Sequence, residues 1–258
     1  MRYIFLAILL ITLILNAEVS NSGIRKNPGG GKVESSLQQT DPIKMDELPL
    51  ISIPASVESS APVFIFISGD GGWTSFDNTF CELLAKKGMP VVALDAKKYF
   101  WNSKSPEETT SALVSIIGNY SRQWNRNTFI LAGYSFGADI VPFIVNRLPE
   151  SLKGRLSKVI LLSPDRYGDF EIHLTDMLSL GIAKKKYNIV NEVKKITTHQ
   201  VVSICGEDED PINPQSFKEA GSKIIFLPGD HHYNKNVTGL AEMILKVASD
   251  TQSKAPSK

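Results

Sequence analysis

The chain has 258 residues, 42% of them hydrophobic, which suffices for one sizeable core and fits the size of single-domain α/β proteins. Its 28 basic and 27 acidic residues leave a formal net charge of +1, so it lacks the strongly basic character typical of nucleic-acid-binding proteins. We therefore expect one folded domain, no nucleic-acid partner, and a function set by local sites.

The N-terminal sequence has the pattern of an export signal. Arg2 precedes an apolar run over residues 3–15, and small and polar residues follow. This pattern predicts a signal peptide over residues 1–20, with an uncleaved membrane anchor as the alternative because the run is short for a bilayer span. Cys81 and Cys205 follow in the chain, and in an oxidising compartment they either form a disulfide or stay as buried thiols.

Composition divides the rest of the chain into three parts. Residues 21–46 are rich in Ser, Asn, Gly and Gln and lack apolar periodicity, which predicts a flexible linker. Residues 249–258 have a similar composition and predict a disordered tail. Folded structure is expected over residues 47–248.

Short apolar runs alternate with helical patterns across the folded part. The predicted strands are residues 63–67, 91–94, 129–132, 159–162, 201–204 and 224–227, with an edge strand at 48–53. The connection that contains Ser105-Pro106-Glu107-Glu108 predicts a well-capped helix. This alternation predicts a doubly wound, mainly parallel sheet with flanking helices. Residues 165–196 break the rhythm and indicate either a lid over the sheet or a solvated loop with a surface helix.

A nucleophile motif follows the third strand. Gly133-Tyr134-Ser135-Phe136-Gly137 matches the Gly-x-Ser-x-Gly elbow, in which small neighbours allow a sharp turn that exposes the serine hydroxyl. An apolar strand precedes it and an apolar helix follows, as the α/β-hydrolase fold requires. Ser135 is therefore the predicted nucleophile.

The elbow needs an acid and then a histidine later in the chain. Both come at strand ends, the acid among Glu207-Asp208-Glu209-Asp210 and the histidine in Pro228-Gly229-Asp230-His231-His232. His231 is the preferred base and His232 the second choice. For the acid we favour Glu209 or Asp210, then Asp208.

The loop Ser68-Gly69-Asp70-Gly71-Gly72-Trp73 follows the first strong strand, where this fold contributes an oxyanion donor. The predicted donors are the backbone N–H groups of Asp70 or Gly71, together with that of Phe136. The loop lacks the Lys-Ser/Thr ending of a phosphate-binding loop. No His-Glu-x-x-His helix occurs, so neither a metal nor another cofactor is expected.

Five motifs together resemble the bacterial virulence protein family VirJ/AcvB, in its single-domain VirJ-like form. The resemblance extends from about residue 61 to residue 248, and the motifs are Ser68-Gly-Asp-Gly-Gly-Trp73, Tyr99-Phe-Trp101, Gly133-Tyr-Ser-Phe-Gly-Ala-Asp139, Asp169-Phe-Glu-Ile172 and Pro228-Gly-Asp-His-His-Tyr233. It implies a periplasmic α/β-hydrolase. AcvB-like members are associated with cleavage of aminoacyl esters of phosphatidylglycerol, lysyl-phosphatidylglycerol in particular, and VirJ-like members with type IV secretion and virulence.

The implied substrate is an aminoacylated phospholipid at the membrane surface, which suggests roles for further residues. Asp139 and Asp169 are expected to bind the substrate ammonium, with Asp70, Asp165 and Glu171 as further candidates. Trp73, Tyr99 and Trp101 are expected to contact substrate, with Tyr99, Phe100 and Trp101 facing lipid. The alternatives are a general carboxylesterase or thioesterase, and a non-catalytic periplasmic adaptor that binds secretion-system proteins.

Overall fold

The computed structural model describes residues 44–172 and 185–250. The predicted signal peptide, residues 21–43 of the predicted linker, and residues 251–258 of the predicted tail lie outside these residues. The described chain starts next to a one-turn 3-10 helix at Met45–Glu47. No helix in the described ranges combines the length and the apolar character that a membrane span requires.

Seven of the described strands form one sheet in the order β1-β3-β2-β4-β5-β8-β9. Only the edge strand β1 is antiparallel, to β3, and the other neighbours are parallel. The strands are β1 Leu50–Ile53, β2 Val63–Ile67, β3 Val91–Leu94, β4 Phe129–Tyr134, β5 Leu156–Leu162, β8 Val201–Gly206 and β9 Lys223–Leu227. β6 Tyr167–Gly168 and β7 Tyr187–Asn188 form a separate antiparallel pair. The predicted doubly wound, mainly parallel sheet is confirmed.

Helices cover both faces of the sheet because successive strand residues point to opposite sides. In β2, Val63, Ile65 and Ile67 join one apolar core, whereas Phe64 and Phe66 join the other. Both faces are thus buried, and this explains the continuous apolar runs. The helices are α1 Ser75–Lys86, α2 Ala96–Tyr99, α3 Pro106–Gln123, α4 Phe136–Arg147, α5 Glu150–Lys153, α6 Ile189–Lys194, α7 Ile212–Glu219 and α8 Val237–Ser249.

Side-chain caps fix where the longest connections begin. Ser105 and Glu108 form the predicted capping box, with Pro106 in the first turn of α3. α1 begins in the same way, at Thr74 with Asp77. α3 packs in the first core, which contains Val63, and α1 packs in the second core, which contains Phe64. The two caps therefore fix where a helix begins on each face of the sheet.

The segment that breaks the strand–helix rhythm contains the β6–β7 pair and α6, while residues 173–184 lie outside the described part. Asp165, Gly168 and Lys185 border a cleft at the C-terminal edge of the sheet. The segment therefore reaches the position of a lid and also supplies a packed helix. Cys81 and Cys205 are both buried free thiols, which settles that alternative.

Substitution by alanine should have opposite effects on stability at two glycines, Gly137 and Gly118. A Cβ at Gly137 would lie 2.1 Å from the Ile67 carbonyl oxygen, whereas one at Gly118 in α3 would meet only the end of Arg122, at 3.5 Å. We expect Gly137→Ala to destabilise the fold by several kcal/mol, about 3 or more, or to prevent folding. Gly118→Ala should be stabilising by up to about 1 kcal/mol. Denaturant unfolding of both variants checks this, and equal stabilities would contradict the crowded elbow.

Candidate active site

Ser135 lies in a tight turn between β4 and α4. Its backbone has φ 51° and ψ −118°, a strained conformation for a residue with a side chain. A Cβ at Gly133 would lie 2.2 Å from the Gly137 carbonyl oxygen, so both flanking positions need glycine. The Ser135 N–H donates to the Leu162 carbonyl oxygen at 2.9 Å, which ties the turn to β5.

His231 lies in the turn after β9, and its Nε2 is 2.9 Å from Ser135 Oγ. The structure thus brings together two residues 96 positions apart in the chain. The last residue of β8 makes room for this turn, because a Cβ at Gly206 would lie 2.3 Å from the Asp230 carbonyl oxygen. A nucleophile and a base within hydrogen-bond distance are the minimum for activating a serine hydroxyl.

Glu209 is the acidic group that approaches His231. Its Oε2 lies 3.8 Å from His231 Nδ1, and its side chain is 7% exposed. This separation exceeds a hydrogen bond, as is common for catalytic pairs without substrate. Burial raises the pKa of Glu209, but His231, the Ser163 hydroxyl and the Gly206 N–H outweigh that effect and leave the pKa below its ordinary value.

The other triad candidates lie elsewhere. Asp210 is exposed, and its Oδ1 accepts from the Ile212 N–H at 3.0 Å, at the start of α7. Asp208 is exposed, and its N–H donates to the Gly229 carbonyl oxygen. His232 is exposed, and its Nδ1 lies 2.5 Å from the Tyr134 hydroxyl.

The glycine loop after β2 lies beside the nucleophile. A Cβ at Gly69 would be 3.7 Å from Ser135 Cβ. The loop forms a turn that is closed by a hydrogen bond from the Gly72 N–H to the Gly69 carbonyl oxygen. Within the described ranges, the N–H groups of Asp70, Gly71 and Phe136 make no hydrogen bond to a protein acceptor. They are the kind of donors that an oxyanion needs, and Asp70 and Phe136 also line the cleft.

The cleft above Ser135 has a volume of about 450 Å³, and carboxyl groups predominate among the charged side chains of its described lining. Among the residues that the structure describes, five carboxyl groups line it, in contrast to the one lysine, Lys185. The carboxyl groups belong to Asp70, Asp139, Asp165, Asp169 and Glu171. Lys185 Nζ lies 2.5 Å from Asp165 Oδ2. Such a lining favours a cationic group over an anionic one.

Asp139 is the most deeply buried of these carboxyl groups, at 5% exposure in the first turn of α4. Its Oδ1 accepts from the Asp165 N–H at 2.8 Å. Burial raises the pKa of Asp139 well above its ordinary value, against the lowering effect of that hydrogen bond. The cleft therefore holds a carboxyl group whose protonation is unusually favourable.

The three aromatic residues predicted to contact substrate do not line this cleft. Trp73 packs at the edge of the core that contains α1 and α8. The Tyr99 ring packs against the Phe100 ring, with centroids 4.8 Å apart, and Trp101 is 49% exposed. They are absent from the described cleft lining, so their contact with lipid stays a prediction, for which the Trp101 side chain is accessible.

Two site residues escaped the sequence analysis. Ser163 follows β5 directly and donates to Glu209 Oε1 at 2.5 Å, and the Tyr233 hydroxyl lies 2.8 Å from Ser163 Oγ. The signal that could have found Ser163 is its position, because polar residues at C-terminal ends of parallel strands share one edge. Across the described chain, no group of three His, Cys, Asp or Glu side chains could hold a metal ion.

The chain has a mainly parallel sheet, a serine in the turn after β4, and a histidine in the turn after β9 that contacts it. These features define the α/β-hydrolase fold, and comparison with solved structures confirms this fold class. The chain belongs to the VirJ family, since the model described as "Bacterial virulence protein (VirJ)" matches residues 62–252. The family resemblance noted from the sequence is thereby confirmed. No curated protein matches the chain.

Three solved structures illustrate the likeness. Est1E from Butyrivibrio proteoclasticus is 15% identical with a TM-score of 0.55, covering 79% of this chain and 96% of its own. The thioesterase domain from the curacin biosynthetic pathway is 15% identical with a TM-score of 0.54, covering 76% and 94%. Proline iminopeptidase from Mycobacterium smegmatis is 11% identical with a TM-score of 0.58, covering 77% and 93%. At such identities the likeness shows the hydrolase fold alone.

Removing the Asp139 charge should change how stability depends on pH. A carboxyl group whose pKa is raised on folding loses stability as pH rises from its ordinary value through the folded pKa. Asp139→Asn keeps an oxygen for the Asp165 N–H but cannot ionise. We expect the variant to match the wild type near pH 4 and to melt at a higher temperature near pH 8. Thermal unfolding of both proteins from pH 4 to pH 8 tests this. If the melting temperature of the variant relative to that of the wild type falls as pH rises, the prediction is wrong.

Proposed function

We propose that this protein is an exported serine hydrolase that cleaves the aminoacyl ester of an aminoacylated phosphatidylglycerol, such as lysyl-phosphatidylglycerol, in the periplasm. The observation that carries the hydrolase part is the 2.9 Å contact between His231 Nε2 and Ser135 Oγ. The acidic cleft and membership of the VirJ family support the substrate. The N-terminal sequence supports export.

The arrangement supports acyl transfer in two steps. Ser135 Oγ attacks the ester carbonyl carbon while His231 Nε2 takes its proton, and the oxyanion accepts hydrogen bonds from backbone N–H groups of Asp70 or Gly71 and of Phe136. The ester C–O bond then breaks, and the lipid alkoxide takes the proton from His231. Water, deprotonated by the same nitrogen, attacks the acyl carbon. The bond from that carbon to Ser135 Oγ then breaks, Oγ regains the proton from His231, and the amino acid leaves. Glu209 stabilises the imidazolium that forms in each step.

The cleft suits an aminoacyl group because such a group is cationic and small. An ammonium about 4 Å from one carboxylate gains roughly 4 kcal/mol at an effective dielectric constant near 20, before desolvation. Asp169 and Glu171 lie in the cleft wall with Asp70 and Ser135, so charge recognition and chemistry share one space. A neutral acyl ester would gain nothing from this lining.

Covalent labelling tests the nucleophile. A fluorophosphonate probe should label the wild type and fail to label Ser135→Ala, because only the activated hydroxyl attacks phosphorus. Turnover of an ester substrate should fall by at least about 10⁴-fold. Ser203→Ala is the matched control, because it removes a buried hydroxyl on β8 that bonds to Ser222. The probe should label this variant as it labels the wild type. Equal labelling of Ser135→Ala and wild type would refute covalent catalysis, and a Ser135→Ala protein that still restores virulence in a deletion strain would favour the adaptor.

Substrate comparison tests the charge recognition. We expect lysyl-phosphatidylglycerol to be hydrolysed with a higher kcat/KM than p-nitrophenyl butyrate. Added salt should lower kcat/KM for the charged lipid and leave that for the neutral ester unchanged. Asp169→Asn should raise KM for the lysyl lipid about fivefold, equivalent to ~1 kcal/mol, and leave the neutral ester unchanged. Asp46→Asn, an exposed residue outside the cleft, is the control. Faster turnover of the neutral ester would support the general esterase or thioesterase instead.

A further inference from the structure

Tyr233 is a buried tyrosine two positions after the base. It is 1% exposed, and its hydroxyl lies 2.9 Å from the Ile204 carbonyl oxygen and 2.8 Å from Ser163 Oγ. Burial raises the pKa of Tyr233 well above its ordinary value, so the phenol stays neutral and keeps its proton. That one proton has two acceptors within hydrogen-bond distance.

Ser163 connects this phenol to the acid. Its side chain is buried and its hydroxyl lies 2.5 Å from Glu209 Oε1. The carboxylate is the charged acceptor, so it is the preferred recipient of the single serine proton. The Ser163 backbone has φ 47°, and its N–H donates to the Ile204 carbonyl oxygen at 2.8 Å. One carbonyl group on β8 thus anchors both Ser163 and Tyr233.

These contacts orient the carboxylate of Glu209. Its Oε1 accepts from Ser163 Oγ and from the Gly206 N–H at 2.7 Å. With Oε1 held from two sides, Oε2 is the oxygen that faces His231 Nδ1. A carboxylate without these donors would be free to rotate away from the imidazole or to bind water.

The same tyrosine holds the backbone that carries the base. Tyr233, Asn234 and Lys235 all have positive φ, at 53°, 51° and 59°, a left-handed turn of non-glycine residues that costs about 1–2 kcal/mol for each residue. Burial of the Tyr233 ring in the second core offsets this strain. The His231 carbonyl oxygen lies 3.4 Å from Ser163 Oγ, so the turn and the serine are in contact.

We infer that Tyr233 and Ser163 are positioning residues that hold Glu209 and His231 in place beside Ser135, through a relay of contacts that joins the Tyr233 hydroxyl to Ser163 Oγ and Ser163 Oγ to the triad carboxylate. This inference rests on the proposed serine hydrolase function. Tyr233 does not line the cleft, so it acts on the chemical step and leaves substrate binding unchanged. A displacement of about 1 Å in a reacting group can change activity by about 100-fold.

The first experiment measures turnover of a soluble ester by the full chain. Ser163→Ala and Tyr233→Phe should each lower kcat by about 10-fold or more, and Tyr233→Phe should leave KM within about twofold of wild type. Ser203→Ala and Tyr120→Phe are matched controls, since they remove a buried hydroxyl on β8 and a phenol on α3 outside the site. They should keep wild-type kcat. If the two site variants behave like these controls, the relay is wrong.

A double-mutant cycle separates positioning from general loss of structure. In a Glu209→Ala background, the relay has no carboxylate to orient, so adding Ser163→Ala or Tyr233→Phe should change the remaining activity by less than about twofold. Multiplicative losses in that background would assign the two residues a purely structural role and overturn the inference. A wild type that neither hydrolyses esters nor reacts with the fluorophosphonate would refute the proposed function itself, which is a distinct result.

Discussion

The contact between His231 Nε2 and Ser135 Oγ joins segments 96 residues apart, and it depends on the direction of the strands. β4 and β9 run parallel in one sheet, with β5 and β8 between them, so the loops that follow all four strands meet at one edge. Ser163 and Glu209 follow the two intervening strands, and they contact each other while Glu209 approaches the imidazole from its Nδ1 side. The order of strands therefore sets the order of groups across the site.

Close approach of backbones makes this convergence possible. Cβ atoms at Gly133, Gly137 and Gly206 would each lie within 2.3 Å of a neighbouring carbonyl oxygen, so the turns that carry Ser135 and His231 fit only against bare backbone. Strain accompanies the fit at both turns, as left-handed φ values at Ser135 and after His231. Hydrogen bonds to adjacent strands and the buried Tyr233 ring hold these conformations, which is typical of sites that are organised before substrate arrives.

The acidic cleft adds a second constraint, because like charges that share a low-dielectric space repel one another. Features of the described residues reduce the repulsion. Asp139 has a raised pKa through burial, and Lys185 contacts Asp165. A carboxylate-rich cleft that costs stability is the pattern expected where binding, and not folding, selects the residues. The ammonium group of the proposed substrate would be attracted to such a lining.

The sequence by itself determined the parallel sheet, the elbow at Ser135 and the acid-then-histidine order, because apolar runs, capping residues and glycine spacing are local patterns. It limited the candidates for the catalytic acid to four consecutive acidic residues and favoured Glu209 and Asp210 equally. Only the tertiary structure decided between these two acids. It also decided where Ser163 and Tyr233 lie and which residues line the cleft. Which side chain of a loop faces inward depends on the turn that the loop makes against neighbouring strands, and those neighbours are remote in the chain.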